Sequence, residues 1–312
     1  MKAGQHTPYP VRYLKRQDID TVRWDDCIHK ASNGLIYGCR VYLDHMARGD
    51  WDALIYGNYE AVMPLPWRRK FSIRYIYQPP FTQQGGIFFL PAISALIPDL
   101  IDSFLKELRA NFRFSEIFLN YANPHPGLRA HKNYILPLDA PYARLAAGYN
   151  KDLVRNLKLA NENSLDYITD FSLDRALASF EKEYASRLPS VRKEDYYNFR
   201  SLCIDMRRTD QLLVRAVCRQ QQLLACAIVL RDHRRLHLLQ STTFAEGRKR
   251  RSNHFLLDNL IREFAGTALL FDFEGSDIKG IGQFYENFGS QDQPYFFYRH
   301  NQMPRPIRLL KP

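Results

Sequence analysis

Nowhere in its 312 residues does the chain hold an unbroken apolar run of the roughly eighteen residues that a membrane-spanning helix needs. Its first ten residues carry a single Lys2 and no apolar core behind it, so no secretory leader is readable and the expected compartment is the cytoplasm. Cysteine is scarce. The five present, Cys27, Cys39, Cys203, Cys218 and Cys226, are odd in number and lack C-x-x-C spacing, which speaks against a disulfide framework or a zinc site and for buried thiols. Histidines 45, 125, 131, 233, 237, 254 and 300 are scattered without metal-ligand spacing. His233 and His237 lie four apart, but in strand context they suit no shared ligand, and no metal is expected. Walker and Rossmann glycine spacings are missing, and so is the G-x-S-x-G elbow of a serine nucleophile. Any group transfer is therefore expected to be direct, without a covalent intermediate.

What the chain does have is positive charge. Forty-four Lys and Arg against 33 Asp and Glu leave a net +11. That balance suits polyanionic partners such as nucleic acid, a nucleotide cofactor, diphosphate-linked substrates or an anionic lipid surface; a basic surface that merely keeps the protein soluble is the plain alternative. With 46% hydrophobic residues there is apolar material for a core in each of two domains of ordinary size.

The residue pattern repeats. Strand-like runs at 53–56, 60–65 and 73–78, joined by Gly57-Asn58 and Arg68-Arg69-Lys70 turns, lead into the loop Phe81-Thr82-Gln83-Gln84-Gly85-Gly86. A helix over 97–112 with Pro98 in its first turn and a strand over 117–121 close the unit. The second half repeats the order: strands at 212–218, 223–230 and 236–242, a basic loop over 245–251, a helix over 252–265 and a strand over 268–273. Helical segments precede each copy, at 19–30 in the first and at 176–187 and 193–206 in the second. The expected architecture is α/β, with two tandem units, each a mixed, mainly antiparallel sheet flanked by helices. Pro137, Asp139, Pro141 and Gly148 break regular structure between them, giving expected domains of 1–145 and 146–312.

Three segments carry candidate chemistry. Gly247-Arg248-Lys249-Arg250-Arg251-Ser252-Asn253 combines a glycine, cations and a helix start, a general device for binding phosphate; a solvated basic turn is the bland reading. In Phe271-Asp272-Phe273-Glu274-Gly275-Ser276, alternation puts Asp272 and Glu274 on one face at a strand's C-terminal end, where either could take an amine proton, or simply pair with arginines. Tyr285 is a third candidate acid or base. In the first copy, prolines after Tyr77-Gln78 should splay the strand and open a cleft lined by Tyr77, Gln78, Thr82 and Gln83; a packed aromatic bend is the alternative.

The run D-F-E-G-S followed by Gly280-Ile281-Gly282-Gln283-Phe284-Tyr285-Glu286-Asn287-Phe288-Gly289 and a Pro-Tyr-Phe strand resembles the C-terminal signature of FemAB-like proteins, a branch of the GNAT acyltransferase superfold. The basic helix at 150–160 is similar to the family's Arg/Lys-rich interdomain helix. The resemblance implies tandem GNAT domains, the first on the acceptor side and the second holding the acyl donor. It further implies transfer of an acyl or aminoacyl group onto a primary amine of a cell-envelope precursor or related substrate. Arg155, Lys158, Arg248, Arg250 and Arg251 would then hold phosphate groups. The GNAT loop Q/R-x-x-G-x-G/A is absent, since Gly247 is followed by Arg248 and Lys249. The donor thus stays open between acetyl-CoA or another acyl-CoA and aminoacyl-tRNA. A non-catalytic, RNA- or polyanion-binding derivative of such an enzyme is the competing reading.

Overall fold

The structure, a computed structural model, describes residues 9–304 other than 71, 186, 187, 189 and 276. By contacts the chain forms two compact units, Met1–Ala130 together with Tyr295–Pro312, and His131–Pro294.

In unit 1, β1 (Val11–Leu14) leads through α1 (Thr21–Lys30) and α2 (Arg40–Met46) into the antiparallel strands β2 (Trp51–Tyr56), β3 (Ala61–Lys70) and β4 (Ile73–Ile76). The short β5 (Phe88–Phe89) pairs with β3, and α3 (Ile97–Asn111) and β6 (Phe114–Leu119) follow, with β7 (Arg129–His131) ending the segment. Asp20 starts α1 by accepting from the amides of Val22 and Arg23. α3 presents Ile101, Phe104, Leu105 and Leu108 at helical spacing to Leu54, Met63, Leu65 and Leu119 of the sheet.

Unit 2 repeats the plan. β8 (Tyr134–Pro137), α4 (Tyr142–Ala147) and α5 (Lys151–Asn161) precede β9 (Asp166–Ile168), α6 (Leu173–Tyr184) and α7 (Lys193–Arg208). Three antiparallel strands follow, β10 (Leu212–Arg219), β11 (Gln222–Arg231) and β12 (Arg235–Thr243). Then come α8 (Ala245–Lys249), α9 (Ser252–Phe264), β13 (Leu270–Asp272), α10 (Lys279–Glu286) and β14 (Gln291–Asp292). The sheet order is β14-β8-β13-β12-β11-β10-β9. α9 buries Leu256, Leu257, Leu260 and Ile261 against Ala225, Ala227, Val229, Leu238 and Phe271. The last strand, β15 (Tyr295–Asn301), pairs antiparallel with β6 and so completes the sheet of unit 1, whose order is β1-β2-β3-β4-β6-β15-β7.

Every strand and long helix of the repeat lies where the residue pattern puts it, within a few residues. The division of the chain differs. The expected boundary at 145 falls within α4, inside unit 2, and the C-terminal strand returns to unit 1 instead of closing the second unit. The breakers at 137–148 interrupt the chain without preventing α4. Cys27, Cys203 and Cys226 are buried and unpaired, and burial pushes all three thiols up to about 12.

Each unit contains one parallel strand pair, and the two pairs end differently. In unit 1, β4 and β6 pair at Ile76 and Ser115, after which the strands part. The loop 79–86 fills the opening. Gln78 donates to the Thr82 carbonyl at 2.8 Å and accepts from the Phe118 amide at 3.1 Å, while Gln84 accepts from the Tyr121 amide at 3.1 Å. The Gly85 backbone donates to Phe118 O at 2.8 Å and accepts from Asn120 N at 3.0 Å. Side-chain amides thus do the work of a missing strand where the residue pattern places a cleft. Tyr77 lies under the Arg68 guanidinium at 4.1 Å, Thr82 bonds the Pro80 carbonyl at 3.4 Å, and Gln83 accepts from Gln84 at 2.7 Å. The Gln78→Leu substitution should cost about 1–3 kcal/mol by leaving the Phe118 amide and the Thr82 carbonyl without partners. Urea unfolding of unit 1 would measure it, and an unchanged midpoint would show that the staple holds nothing.

Candidate active site

In unit 2 the parallel pair β12–β13 holds only from Arg235–Leu270 to His237–Asp272, and β12 then runs on to Thr243 beyond the end of β13. A buried polar cluster sits where the strands part. Arg235 donates to Asp272 at 2.8 Å, and both side chains are almost wholly out of solvent. Asn133 donates to the other Asp272 oxygen at 3.1 Å, and the Glu274 amide does so at 3.0 Å. His237 is held on both sides, by Asp232 through Nε2 at 2.9 Å and by Glu274 through Nδ1 at 3.0 Å.

Burial alone would lower the His237 pKa, but the two carboxylates outweigh it and push the pKa up to about 10. Asp232 is raised by burial yet brought down to about 2 by His237 and by the Arg234 and Arg235 amides. A buried imidazolium between two carboxylates is thus fixed in its charged form. His237, Asp272 and Glu274 place one potential metal-ligand atom each within 4.8 Å of one another. In the structure these groups are engaged with one another, with Asp232 and with Arg235 in one ion network. The chain turns sharply just beyond, with Glu274 and Gly275 both left-handed at φ 61° and 51°. A Cβ on Gly275 would lie 2.3 Å from the Lys132 carbonyl, so only glycine fits there.

At the far end of β12 lies a cleft of about 590 Å³ bounded by Tyr184, Thr243, Gly247, Arg248, Arg251, Asn253, His254 and Phe284. Its floor is α8, a short helix where the pattern reads as loop. Gly247 presses so closely on β11 that an added Cβ would meet the Leu224 carbonyl at 2.1 Å. Arg251 takes the left-handed conformation at φ 59° and starts α9 without any side-chain cap, which leaves the first turn of that helix available to an anion. Arg248 bonds the Thr243 carbonyl at 2.5 Å and Asn253 accepts from Ser241 at 3.0 Å. His254 stands edge-on to Phe284, ring centroids 4.9 Å apart; burial and then Arg251 hold its pKa down at about 4.

The structure sorts the candidates. Gly247, Arg248, Arg251 and Asn253 bound the cleft. Arg250 is committed to Glu246 at 2.7 Å and Asn163 at 2.9 Å, and Ser252 is fully buried with a hydroxyl that has no partner among the described residues. Asp272 is unsuited to be a base, because both oxygens are occupied by Arg235, Asn133 and the Glu274 amide. Glu274 is bound to His237 but keeps a small exposed edge. Tyr285 packs on Phe273 at 4.9 Å and Tyr134 at 6.2 Å, and burial followed by the charge of Glu274 raises its pKa. Arg155 and Lys158 lie on the exposed face of α5, Arg155 pairing with Asp152 at 3.1 Å; neither bounds the cleft. Ser276 lies outside the described residues.

The residue pattern missed the Asp232–His237–Arg235 network and the contributions of Tyr184, Thr243, His254 and Phe284. One signal was present: Arg235, His237, Gln240 and Thr242 are polar residues in a strand whose neighbours are apolar, and such residues in a central strand need buried partners.

Residues 151–282 match the acetyltransferase (GNAT) domain family. The match lies within unit 2. Across the whole chain the fold is similar to FemX, with a TM-score of 0.64 at 12% identity over 96% of this chain and 99% of that one. It is also similar to a tandem GNAT protein from the clavulanic acid biosynthesis pathway, with a TM-score of 0.54 at 12% identity over 94% and 99%. A third relative in structure is a C-terminal domain ascribed to a lysylphosphatidylglycerol synthetase of Agrobacterium fabrum, with a TM-score of 0.53 at 13% identity over 93% and 94%. The chain has the FemAB-like tandem GNAT fold. No curated protein matches it in sequence.

Because the folded-state pKa of His237 is raised, its stabilising contribution is fully present below the ordinary value near ~6.5 and is lost as pH rises through about 10. The depressed Asp232 contributes above its ordinary value near ~3.9 and loses that contribution as pH falls through about 2. Urea midpoints measured from pH 6 to 10 should therefore decline in the native protein and flatten in His237→Gln. Substituting His237 should itself cost about 3–5 kcal/mol, since two buried carboxylates lose their counter-charge.

Proposed function

We propose that the chain is an N-acyltransferase that holds a phosphate-bearing acyl donor in unit 2 and transfers its acyl group to a primary amine. The observation that carries the reading is the cleft at the uncapped start of α9. Two guanidiniums, Arg248 and Arg251, reach it together with the helix N-terminus, and no carboxylate bounds it among the described residues. β12 leads from this cleft to the buried cluster, and beyond His237 β13 no longer pairs with its edge. An extended donor arm can lie along that edge and bond to the strand backbone.

The amine nitrogen attacks the acyl carbonyl carbon, the bond from that carbon to the carrier's sulfur or oxygen breaks, and the carrier leaves with the electron pair. Most of the acceleration would come from holding the two reactants together and from backbone amides facing the developing oxyanion. Glu274, the most exposed of the three cluster carboxylates, is the proposed acceptor of the amine proton, directly or through water. The Tyr285 hydroxyl, kept protonated by its surroundings, is the proposed donor to the leaving carrier.

Between the two carriers, acyl-CoA is favoured by the match of residues 151–282 to an acetyltransferase domain. Aminoacyl-tRNA draws support from α5, where Lys151, Arg155 and Lys158 share an exposed stripe that could follow a phosphate backbone. For the acceptor, the proposal is a primary amine of a cell-envelope precursor. No helix among the described residues is long and apolar enough to cross a membrane, and a cytoplasmic location is part of the same proposal.

Saturating acetyl-CoA at a hundredfold over its dissociation constant should stabilise the protein by about 2.7 kcal/mol, a rise of a few degrees in melting temperature. The double substitution Arg248→Ala, Arg251→Ala should weaken binding about tenfold or more, with the loss largest at low salt. Stabilisation by aminoacyl-tRNA but not by acetyl-CoA would assign the donor to RNA. Polyanion binding with neither donor consumed in the presence of amines would leave a non-catalytic binding protein.

A further inference from the structure

His254 occupies the second position after Ser252 in α9 and shares the cleft wall with Arg251 and Arg248. The groups bounding the cleft with it are Arg251 from its own helix, Arg248 from α8, the Tyr184 phenol from α6, Thr243 from β12 and the Phe284 ring from α10. Asn253, next to it, is engaged by Ser241. The nearest acid on α8, Glu246, is spent on Arg250 and Lys249. The imidazole therefore shares the cleft wall with two guanidiniums and no carboxylate, and burial first, then the charge of Arg251, keep it neutral when the cleft is empty, with a pKa near 4. The same placement sets it on the wall of the cleft that opens at the α9 N-terminus.

We propose that His254 is a third anion-binding residue of the cleft, one that becomes cationic only when a diphosphate has entered. The inference rests on the reading of this cleft as the site for a phosphate-bearing donor. The anion offsets the charge of Arg251 and supplies an acceptor for a second imidazole N–H, which together outweigh the cost of charging a half-buried ring. One proton moves from solvent to the ring, and the bound state gains a charge-assisted hydrogen bond. The empty cleft is spared the repulsion of a third fixed cation. By linkage, a ligand that raises the protonation of the site must bind more tightly as pH falls through the window between the free and bound ring ionisations. A neutral or singly charged ligand recruits the proton weakly, so His254 selects for diphosphate over lesser anions.

Dephospho-CoA is the probe of choice. It keeps the diphosphate diester but lacks the phosphate monoester whose own ionisation near ~6 would add to the pH profile. Calorimetry of the full chain in buffers of different ionisation enthalpy should show uptake of a substantial fraction of a proton on binding. Affinity should rise roughly threefold to tenfold from pH 8 to pH 6. The ring signal of His254, assigned by its loss in His254→Gln, should titrate near 4 in the free protein and well above that with dephospho-CoA bound. His254→Gln should bind more weakly at pH 6, bind with no proton uptake and give a flat pH profile. Arg251→Gln should raise the ionisation of the free ring. Binding of dephospho-CoA with no proton uptake and a flat profile in the native protein would overturn the role of His254 while leaving the donor site standing. Failure of dephospho-CoA to bind at any pH would remove the donor site, and this inference with it.

Discussion

The buried imidazolium of His237 between Asp232 and Glu274 is the constraint on which the geometry of unit 2 turns. Asp232 belongs to the turn that enters β12, His237 to the strand itself, and Glu274 to the bend that leaves β13. One ring thus ties three pieces of chain that no continuous backbone ladder joins. Arg235 and Asp272 repeat the tie two residues back along the chain on each side. Taking such charges out of water is costly, and they pay their way only as a complete set, because removing either partner strands the other. The backbone can therefore bend away at Glu274 and Gly275 without loosening the pair of strands behind the bend. A left-handed Glu274 is unfavourable for a side chain of that kind, and its ion pair with His237 offsets the strain.

Two copies of one plan have resolved the same topological problem in different ways. Wherever parallel strands part, backbone groups lose their partners and something must satisfy them. Unit 1 supplies the loop after Gln78, with the Gln78 and Gln84 side chains and the Gly85 backbone bonding to β6. Unit 2 supplies no comparable insert, and there the strand leads into a basic cleft. The copy with the filled opening lacks cations at the equivalent loop, Gln83-Gln84-Gly85-Gly86, and the copy with the cleft has four of them in Arg248-Lys249-Arg250-Arg251. Shape and charge agree on which unit is suited to an anionic ligand.

The succession of strands and helices was legible because local rules set it: period-two apolar runs, turns built from Gly, Asn and Arg, and helix faces such as Leu256, Leu257, Leu260 and Ile261. The basic loop and the start of α9 were legible for the same reason, since a glycine, cations and a helix start are adjacent in the chain. What escaped was everything that depends on distant partners. The family resemblance marks a Pro-Tyr-Phe strand near the end of the chain but cannot say that its neighbour is β6. Gln78 looks like a pocket residue until the amide of Phe118, 40 positions later, is seen to need it. His237 reads as one scattered histidine in a strand, and nothing marks Arg235, until Asp272 of β13 and Glu274 just beyond it arrive. Tyr184 and Phe284 reach the cleft from helices 100 positions apart, and no local spacing could have joined them to His254.

Gly247 gives the cleft a property separate from its charge. Because its α-carbon rests against the backbone of Leu224, the floor of the cleft is registered to the sheet by main chain and owes little to the side chains around it. Arg248, Lys249 and Arg251 can be exchanged for residues of other size and sign while the platform that carries them stays in place. The scaffold therefore separates where a ligand is held from which ligand is held, and a change of carrier requires new side chains on an old surface instead of a new fold.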